Sequence, residues 1–279
     1  MEGVICIGDF GSGDDKQREV SKLMKKLIKK HNIIFILGLG DNIYPTGVES
    51  IKDNKFIEQF EEPYKNLPKH IKFYNVLGNH DYYGNTKAQI SYTNISEKWC
   101  MPHNFYCFNK KINNTSVEFY AIDTNFNKMS VKEKTIQKKW IMDSLSKSRA
   151  NWHIVYGHHP WKSSGTHGKF VDGELDAFYS KLVELKKVDI MIAGHDHDQQ
   201  HIHIPEHPEI IISGTGSTTR KTPVMIRSFT KDLKFYSENL GCCVLLFSKE
   251  NIKMIFYNNM IFKVLYLFIY KEICLIIYK

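Results

Sequence analysis

Apolar residues in this chain are concentrated in short uninterrupted runs, and five of these runs end in the same way. Runs of this kind are typical of strands buried on both faces of a parallel sheet. Each of the five is followed by glycine and then by Asp, Asn or His. Glycine permits a sharp turn and a close approach of the backbone to a ligand. The five strand ends are Gly8-Asp9, Gly40-Asp41, Gly78-Asn79, Gly157-His158 and Gly194-His195.

Between the runs, apolar positions follow the 3.6-residue period of amphipathic helices. Asp14 and Asp15 suit the N-terminus of the first helix, through capping and the helix dipole. Residues 48–66 are polar and also predicted to be helical, with an end near Pro63 or Pro68. The predicted amphipathic helices run through Val20–Ile28 and over residues 131–148 and 174–187.

Further strands are indicated in the second half of the chain. Residues 117–123 predict a strand, and alternating runs at 209–213 and 243–247 predict strands of a second sheet. The stretch between residues 81 and 111 is predicted to be a loop region with helical potential. Buried strands alternating with helices predict an α/β fold, and we expect one domain over residues 1–260.

The end of the chain, residues 261–279, is unusually apolar. A membrane-spanning helix needs roughly 20 residues with few charges. Lys263, Lys271 and Glu272 interrupt this stretch. We therefore expect a terminal strand first, an aberrant or disordered end second, and a membrane anchor only third.

Composition narrows the class of protein. A chain of 279 residues with 42% hydrophobic and 24% charged residues can bury the core of a soluble α/β domain. Its net charge of +8 helps to attract anionic substrates. No basic patch is interleaved with aromatic residues, so we expect no nucleic-acid partner. The six cysteines form no Cys-x-x-Cys pair, which favours reduced thiols.

The side chains at the five strand ends have the chemistry of metal ligands. Functional groups on parallel sheets lie in the turns just beyond the strands, where ligands also bind. The phenol of Tyr44 ligates well only when a strongly acidic cation removes its proton, which favours Fe(III) over Mg or Ca. Taken alone, Asp41 and Tyr44 would more often be a helix cap and a packing residue. The repeated occurrence of such side chains at five strand ends favours two metals that share Asp41. The candidate ligands are Asp9, Asp41, Tyr44, Asn79, His158, His195 and His197.

Paired metals suit phosphoester hydrolysis because they stabilise charge on both the attacking and the leaving oxygen. The leaving oxygen then needs a proton, which an unligated histidine can donate. His80 and His167 are the candidates for this role. We expect His159 to be a supporting or packing residue outside the ligand set. Other polar residues are expected to be structural, with Asp123 and Asp196 as hydrogen-bonding supports and His201 and His203 on a strand.

In chain order, the strand-end turns form a set of short motifs. They are Asp9-Phe10-Gly11, Gly40-Asp41-Asn42-Ile43-Tyr44, Gly78-Asn79-His80-Asp81, Gly157-His158-His159, Gly194-His195-Asp196-His197 and Ser213-Gly214-Thr215-Gly216. This set resembles the calcineurin-like metallophosphoesterases and, among them, the tartrate-resistant purple acid phosphatases. The resemblance runs from about Gly3 to about Tyr257. Ser/Thr protein phosphatases differ, because their first motif is Asp-x-His and Gly11 stands at that position here.

The resemblance implies a fold and a ligand assignment. The fold would be a four-layer α/β/β/α sandwich of two packed mixed sheets flanked by helices. A metal-bound hydroxide would attack phosphorus, while His80 and His167 would contact the phosphate and protonate the leaving group. Fe(III) would be held by Asp9, Asp41, Tyr44 and His197, and a divalent Fe, Zn or Mn by Asp41, Asn79, His158 and His195.

The resemblance also implies an acid phosphatase acting on phosphomonoesters, either small molecules or phosphoproteins. A phosphodiesterase is a further alternative. The alternative from another class is a catalytically weak scaffold, since some apicomplexan relatives anchor a motility complex; such a protein should have lost ligands. No signal peptide is visible, so the sequence as written indicates a cytoplasmic protein without membrane association. The family suggests secretion, or a lysosome or vacuole, if the N-terminus is trimmed. The sequence does not indicate an oligomeric state.

Overall fold

The computed structural model describes residues 1–168, 172–222 and 231–259, together with the backbone of two strands at 265–270 and 274–277. The rest of the predicted apolar tail at 261–279 lies outside the described residues. Within the described part of the chain, no helix combines the length and apolar character that crossing a membrane requires.

The secondary structure alternates as the hydrophobic pattern predicts. The helices are α1 (Asp15–His31), α2 (Glu62–Tyr64), α3 (Thr86–Ser91), α4 (Val131–Lys147) and α5 (Gly173–Glu184). The strands are β1 (Gly3–Ile7), β2 (Ile33–Gly38), β3 (Phe73–Asn75), β4 (Trp99–Cys100), β5 (Tyr106–Ile112), β6 (Thr115–Ala121), β7 (Trp152–Tyr156), β8 (Ile190–Ala193), β9 (Gln199–Ile202), β10 (Glu209–Ser213), β11 (Leu233–Ser237), β12 (Gly241–Phe247), β13 (Asn251–Asn258), β14 (Leu265–Tyr270) and β15 (Cys274–Ile277).

The strands form two mixed sheets. The first has the order β15-β14-β13-β12-β1-β2-β3-β4, in which β1 to β4 are parallel. The second has the order β11-β9-β10-β8-β7-β6-β5, with β6, β7, β8 and β10 parallel. All five runs that end in glycine are strands, three in the first sheet and two in the second. Their carboxyl ends supply the turns that build the site.

The two sheets pack face to face, with helices on the outer faces. Alternate residues of β7 show this, because Trp152, Ile154 and Tyr156 belong to the core shared by both sheets. Val155 faces the other way, into the core that α4 and α5 form over the second sheet. Helix α1 contributes its apolar stripe to the core of the first sheet. The predicted α/β/β/α sandwich is therefore confirmed.

The helix ends follow local capping chemistry. Asp14 caps α1 by accepting from the Gln17 backbone N–H at 3.0 Å. Ser130 and Glu133 form a reciprocal capping box at the start of α4. The N-terminal role predicted for Asp14 is thus confirmed, and Asp15 is the first residue of the helix.

Three sequence predictions need correction. Residues 243–247 do form a strand, but β12 pairs with β1 in the first sheet rather than joining the second. The helix predicted over 48–66 covers only residues 55–64, with a π-helical turn at 57–61 that leads into the short α2, because residues 48–53 form turns in which Asp53 accepts backbone N–H groups. The region 81–111 contains two strands, β4 and most of β5, besides α3.

Candidate metal centre

The turns after the strands are held in a backbone conformation that few residues adopt. Asp9, Asp41 and His195 have φ of 57°, 51° and 68°. Positive φ is uncommon for residues other than glycine, and such strained residues cluster at functional sites. The turns also bind one another, since the Asp9 N–H donates to the Gly40 carbonyl at 3.0 Å. The strand ends therefore form one interlocked unit.

The motif glycines leave room for the carboxylates. A Cβ on Gly78 would lie 2.1 Å from Asp41 Oδ1, and a Cβ on Gly194 would lie 2.5 Å from Asp9 Oδ2. Both distances are far below van der Waals contact. Glycine is needed at these two positions because another chain segment approaches the backbone too closely for a side chain.

A first group of polar atoms surrounds the phenol of Tyr44. Its hydroxyl oxygen lies 3.0 Å from Asp41 Oδ2 and 3.2 Å from Asp9 Oδ1, so its one proton can be donated to either carboxylate. His197 Nε2 lies 3.5 Å from the same hydroxyl and 3.3 Å from Asp9 Oδ1. Three oxygen donors and one imidazole thus converge, as a hard trivalent cation prefers.

A second group lies on the other side of Asp41. His158 Nε2 is 3.0 Å from Asn79 Oδ1, 3.4 Å from Asp41 Oδ1 and 3.2 Å from His195 Nδ1. The His158 Nδ1–H donates to the Leu39 carbonyl at 2.9 Å, which leaves Nε2 as the nitrogen with a free lone pair. Asp41 therefore directs one oxygen at each group, as a bridging ligand would.

The electrostatics of the two groups suit cations. Asp9 and Asp41 are 0% and 1% exposed. In the described part of the chain, no lysine or arginine forms an ion pair with either carboxylate. Their ion-pair partners among the described residues are histidines, whose nitrogens can bind a metal in place of a proton, so bound metal ions fit this donor set. Burial, together with the Asp9 and Asp41 carboxylates, raises the pKa of Tyr44 well above its ordinary value.

Burial and nearby charged groups shift the pKa values of two of the candidate ligand histidines. Burial opposes protonation of His158, but Asp41 and Asp9 outweigh it and raise the pKa of its imidazole. Burial and the neighbouring histidines lower the pKa of His195 well below its usual range. At neutral pH His195 is therefore an imidazole with a lone pair to offer.

The two predicted proton donors contact different metal-ligand groups. His80 contacts the Tyr44 ring at 4.7 Å between centroids, and its Nδ1–H donates to the Pro45 carbonyl at 2.6 Å. The ring of His167 lies 4.3 Å from that of His195. Its Nδ1 lies 3.0 Å from Asp196 Oδ1. Each imidazole is thus fixed through Nδ1.

Asp81 braces the turn that carries Asp41. Its carboxylate accepts from the backbone N–H groups of Gly78, Asn42 and Ile43 and from Gln89 Nε2. Burial and the Asp41 carboxylate raise its pKa to about 6. This network holds the second and third motif turns together.

Two more residues lie near the site: His159, predicted to be a supporting or packing residue, and Arg220, for which no prediction was made. His159 lies beside His158 and His195, at ring distances of 5.0 and 4.4 Å, and bonds Thr124 Oγ1 through Nδ1 at 2.8 Å. Arg220 lies with Nη1 2.9 Å from His167 Nε2. The doubled histidine was a visible signal for His159, whereas nothing local in the sequence singles out Arg220.

Other predicted supports bind other residues. Asp123 accepts the Tyr82 hydroxyl at 2.5 Å, and Asp196 accepts from Ser163 as well as contacting His167. His201 and His203, predicted to be structural, both contact Glu209. All the candidate ligands lie in the two groups around Asp41, and their ligand roles stay predictions.

Comparison with known proteins agrees with this geometry. Residues 3–199 match the family described as calcineurin-like phosphoesterase. Purple acid phosphatase 7 of Arabidopsis thaliana is 32% identical over 270 residues, which cover 91% of this chain and 81% of the relative. Tartrate-resistant acid phosphatase type 5 of Homo sapiens is 30% identical over 236 residues, covering 76% and 72%.

Solved structures share the fold. GAP50, described as the anchor in the inner membrane complex of Plasmodium, has a TM-score of 0.81 and 25% identity, covering 92% of this chain and 84% of that one. Purple acid phosphatase PPD1 from yellow lupin has a TM-score of 0.70 and 15% identity, covering 94% and 52%. The second likeness concerns the fold alone.

Proposed function

The chain belongs to the calcineurin-like phosphoesterase family, within the purple acid phosphatases, and from this premise we propose that it is an acid phosphatase that hydrolyses phosphomonoesters. Membership implies a dinuclear metal centre and phosphoester substrates. The observation that carries the proposal is the pair of buried carboxylates, Asp9 and Asp41, which are surrounded in the described residues by phenol, amide and imidazole donors rather than by lysine or arginine. Cations bound between the two carboxylates would offset the free-energy cost of burying them.

Each group of donors would hold one metal. Asp9, Asp41, Tyr44 and His197 would hold Fe(III), and Asp41, Asn79, His158 and His195 would hold a divalent Fe, Zn or Mn. When bound, the two metals act as Lewis acids that activate water and stabilise charge on the phosphoryl group and the leaving oxygen.

His80 and His167 would handle the substrate and the proton. The Nδ1–H of His80 is occupied by the Pro45 carbonyl, so a proton for the leaving oxygen can come only from Nε2. His80 is also partly open to solvent, with 32% of its side chain exposed. His167 has Asp196 on Nδ1 and the Arg220 guanidinium near Nε2, so its Nε2 can meet a substrate oxygen only after Arg220 moves. We assign proton donation to His80 first.

The experiment is to load the full chain with iron and a divalent metal, and to measure metal content, visible absorption and p-nitrophenyl phosphate turnover from acidic to neutral pH. We expect two metals, a visible band from the phenolate–Fe(III) pair, and turnover faster than for a bis-ester. In Tyr44→Phe the band should vanish. Two bound metals with no hydrolysis would contradict the phosphatase proposal.

A scaffold is the second candidate, because the GAP50 structure is described as that of an anchor. The two functions make different predictions for the metal centre. A protein that serves only as an anchor needs neither a bound Fe(III) nor a histidine whose unbonded nitrogen faces the metal centre. The same metal and turnover measurements decide between them, since an anchor would give no turnover at any metal content.

A further inference from the structure

A large cavity opens next to the turn that follows His80. Its volume is about 610 Å³, and we call it the Tyr82 cavity. Apolar atoms form most of its wall, and its apolar and aromatic side chains are Tyr82, Ile90, Phe105 and Ile136. Ile136 is 49% exposed although it is apolar. A concave apolar surface of this size is typical of a ligand site.

The charged residues of the Tyr82 cavity are mostly cationic. Lys87 and Lys128 line it, and neither forms an ion pair with a carboxylate within the described ranges. Its one carboxylate, Glu133, is held by the Ser130 backbone N–H and hydroxyl in the cap of α4. The cavity therefore combines an apolar wall with positive charge, which fits an amphiphile that carries an acidic group.

The cavity is joined to the predicted catalytic side chains by direct contacts. The Lys128 ammonium lies 5.8 Å from the centre of the Tyr83 ring, and that ring lies 5.6 Å from the ring of His80. His80 Nε2 is in turn 3.9 Å from Asp41 Oδ2. Tyr83 is 61% exposed, so it forms an open apolar surface between the cavity and the metal centre. A leaving group on the His80 side of the phosphate would lie along this surface.

We propose that the Tyr82 cavity is the leaving-group subsite for amphiphilic phosphomonoesters, namely aryl or alkyl phosphates whose apolar part carries a further acidic group. The inference rests on the proposed phosphatase function for the phosphate end of the ligand. The apolar part packs against Phe105 and Ile136, and its acidic group lies near Lys87 and Lys128.

The binding test uses 1-anilinonaphthalene-8-sulfonate, an apolar aromatic dye with one sulfonate, and the full chain. We expect one dye per protein, with affinity reduced about tenfold in Ile136→Asp, because a carboxylate enters the apolar wall. The matched control is Val131→Asp, which adds the same charge to the same helix at a 77% exposed position outside the cavity. Lys87→Met removes the positive charge but keeps an unbranched side chain of similar length, and it should weaken dye binding severalfold.

Turnover then tests the subsite. With 2-naphthyl phosphate bearing a sulfonate, Ile136→Asp should raise KM about tenfold relative to Val131→Asp, whereas KM for glycerol 2-phosphate should be the same in both. If both variants bind the dye and the naphthyl ester equally well while glycerol phosphate is hydrolysed, the subsite proposal is wrong and the phosphatase proposal is unaffected. If the metal-loaded protein hydrolyses no ester, the phosphatase proposal fails and the leaving-group role fails with it.

Discussion

Replacement of Gly78 by alanine should disable the metal centre without touching a ligand. The new Cβ would lie 2.1 Å from Asp41 Oδ1 and 2.2 Å from the Asp41 backbone nitrogen. Gly78 does not have a positive φ. The effect is therefore one of space, not of backbone preference.

The required displacement is large compared with the tolerance of the site. Ordinary contact begins at 3.4 Å, so Asp41 Oδ1 must retreat by about 1.3 Å, the difference between 3.4 and 2.1 Å. Such a shift breaks the 2.9 Å hydrogen bond from the His80 N–H, a charge-assisted bond worth about 1.5–3 kcal/mol. A misplacement of about 1 Å costs about 100-fold in rate. We expect kcat/KM for p-nitrophenyl phosphate to fall at least that far in Gly78→Ala.

The assay compares metal content after dialysis, kcat/KM and thermal midpoint in three proteins. The matched control is Gly173→Ala at the start of α5, where a Cβ meets nothing within 4 Å. This variant should equal the wild type in metal content and kcat/KM, and its thermal midpoint should be no lower, because alanine at an unstrained helical position does not destabilise. If Gly78→Ala keeps two metals and its kcat/KM stays within tenfold of the wild type, the close packing of the turns does not position Asp41 and the reasoning is wrong.

Three other perturbations follow from single contacts. Asp196→Asn removes the negative charge that holds His167 through Nδ1. We expect kcat to fall about tenfold with unchanged metal content. An unaltered kcat would show that Asp196 has no role in the mechanism. Removal of the metals with a chelator should lower the thermal midpoint, because the buried carboxylates lose their cations; no shift would argue against tight binding. Glu209→Gln should destabilise the fold by about 3 kcal/mol near pH 5–6, since hydrogen bonds from His201 and His203 outweigh burial and lower the pKa of Glu209 from 4.5 to about 2. The stabilisation by the Glu209 carboxylate is complete above pH 4.5 and is lost as the pH falls towards 2. The part due to the raised pKa of His203 is present below pH 6.5 and is lost as the pH rises. Denaturant midpoints of the two proteins that differ equally at pH 3 and pH 5.5 would refute this prediction.

The parts of the fold that could be predicted from sequence are those governed by local pattern. The apolar run of β2 has no polar interruption, and the stripe from Val20 to Ile28 has helical spacing, so their burial followed directly. The pairing of β12 with β1 could not be predicted, because strand order depends on contacts between residues far apart in sequence. β5 was missed because one of its faces is exposed and polar, with Asn109 and Lys111 on it.

The candidate site shows the same difference between features with a local sequence signal and features that depend on distant residues. Motif glycines and strand ends identified the donors around Asp41, since these signals lie within a few residues of each donor. The contact of Arg220 with His167 joins residues 53 positions apart, and the Tyr82 cavity is lined from three separate segments. Neither feature has a local signal, so both needed the structure.

The free-energy cost of forming the site is the strongest argument that the site is functional. Asp9, Asp41 and His195 hold positive φ, at about 1–3 kcal/mol each, and two carboxylates are buried without lysine or arginine partners in the described residues. Set against a net stability of about 5–15 kcal/mol for a whole domain, these costs are substantial. An anchor could replace the two acids with apolar residues and gain stability. A metal centre cannot, because its cations repay the cost only while both carboxylates and the strained turns remain in position.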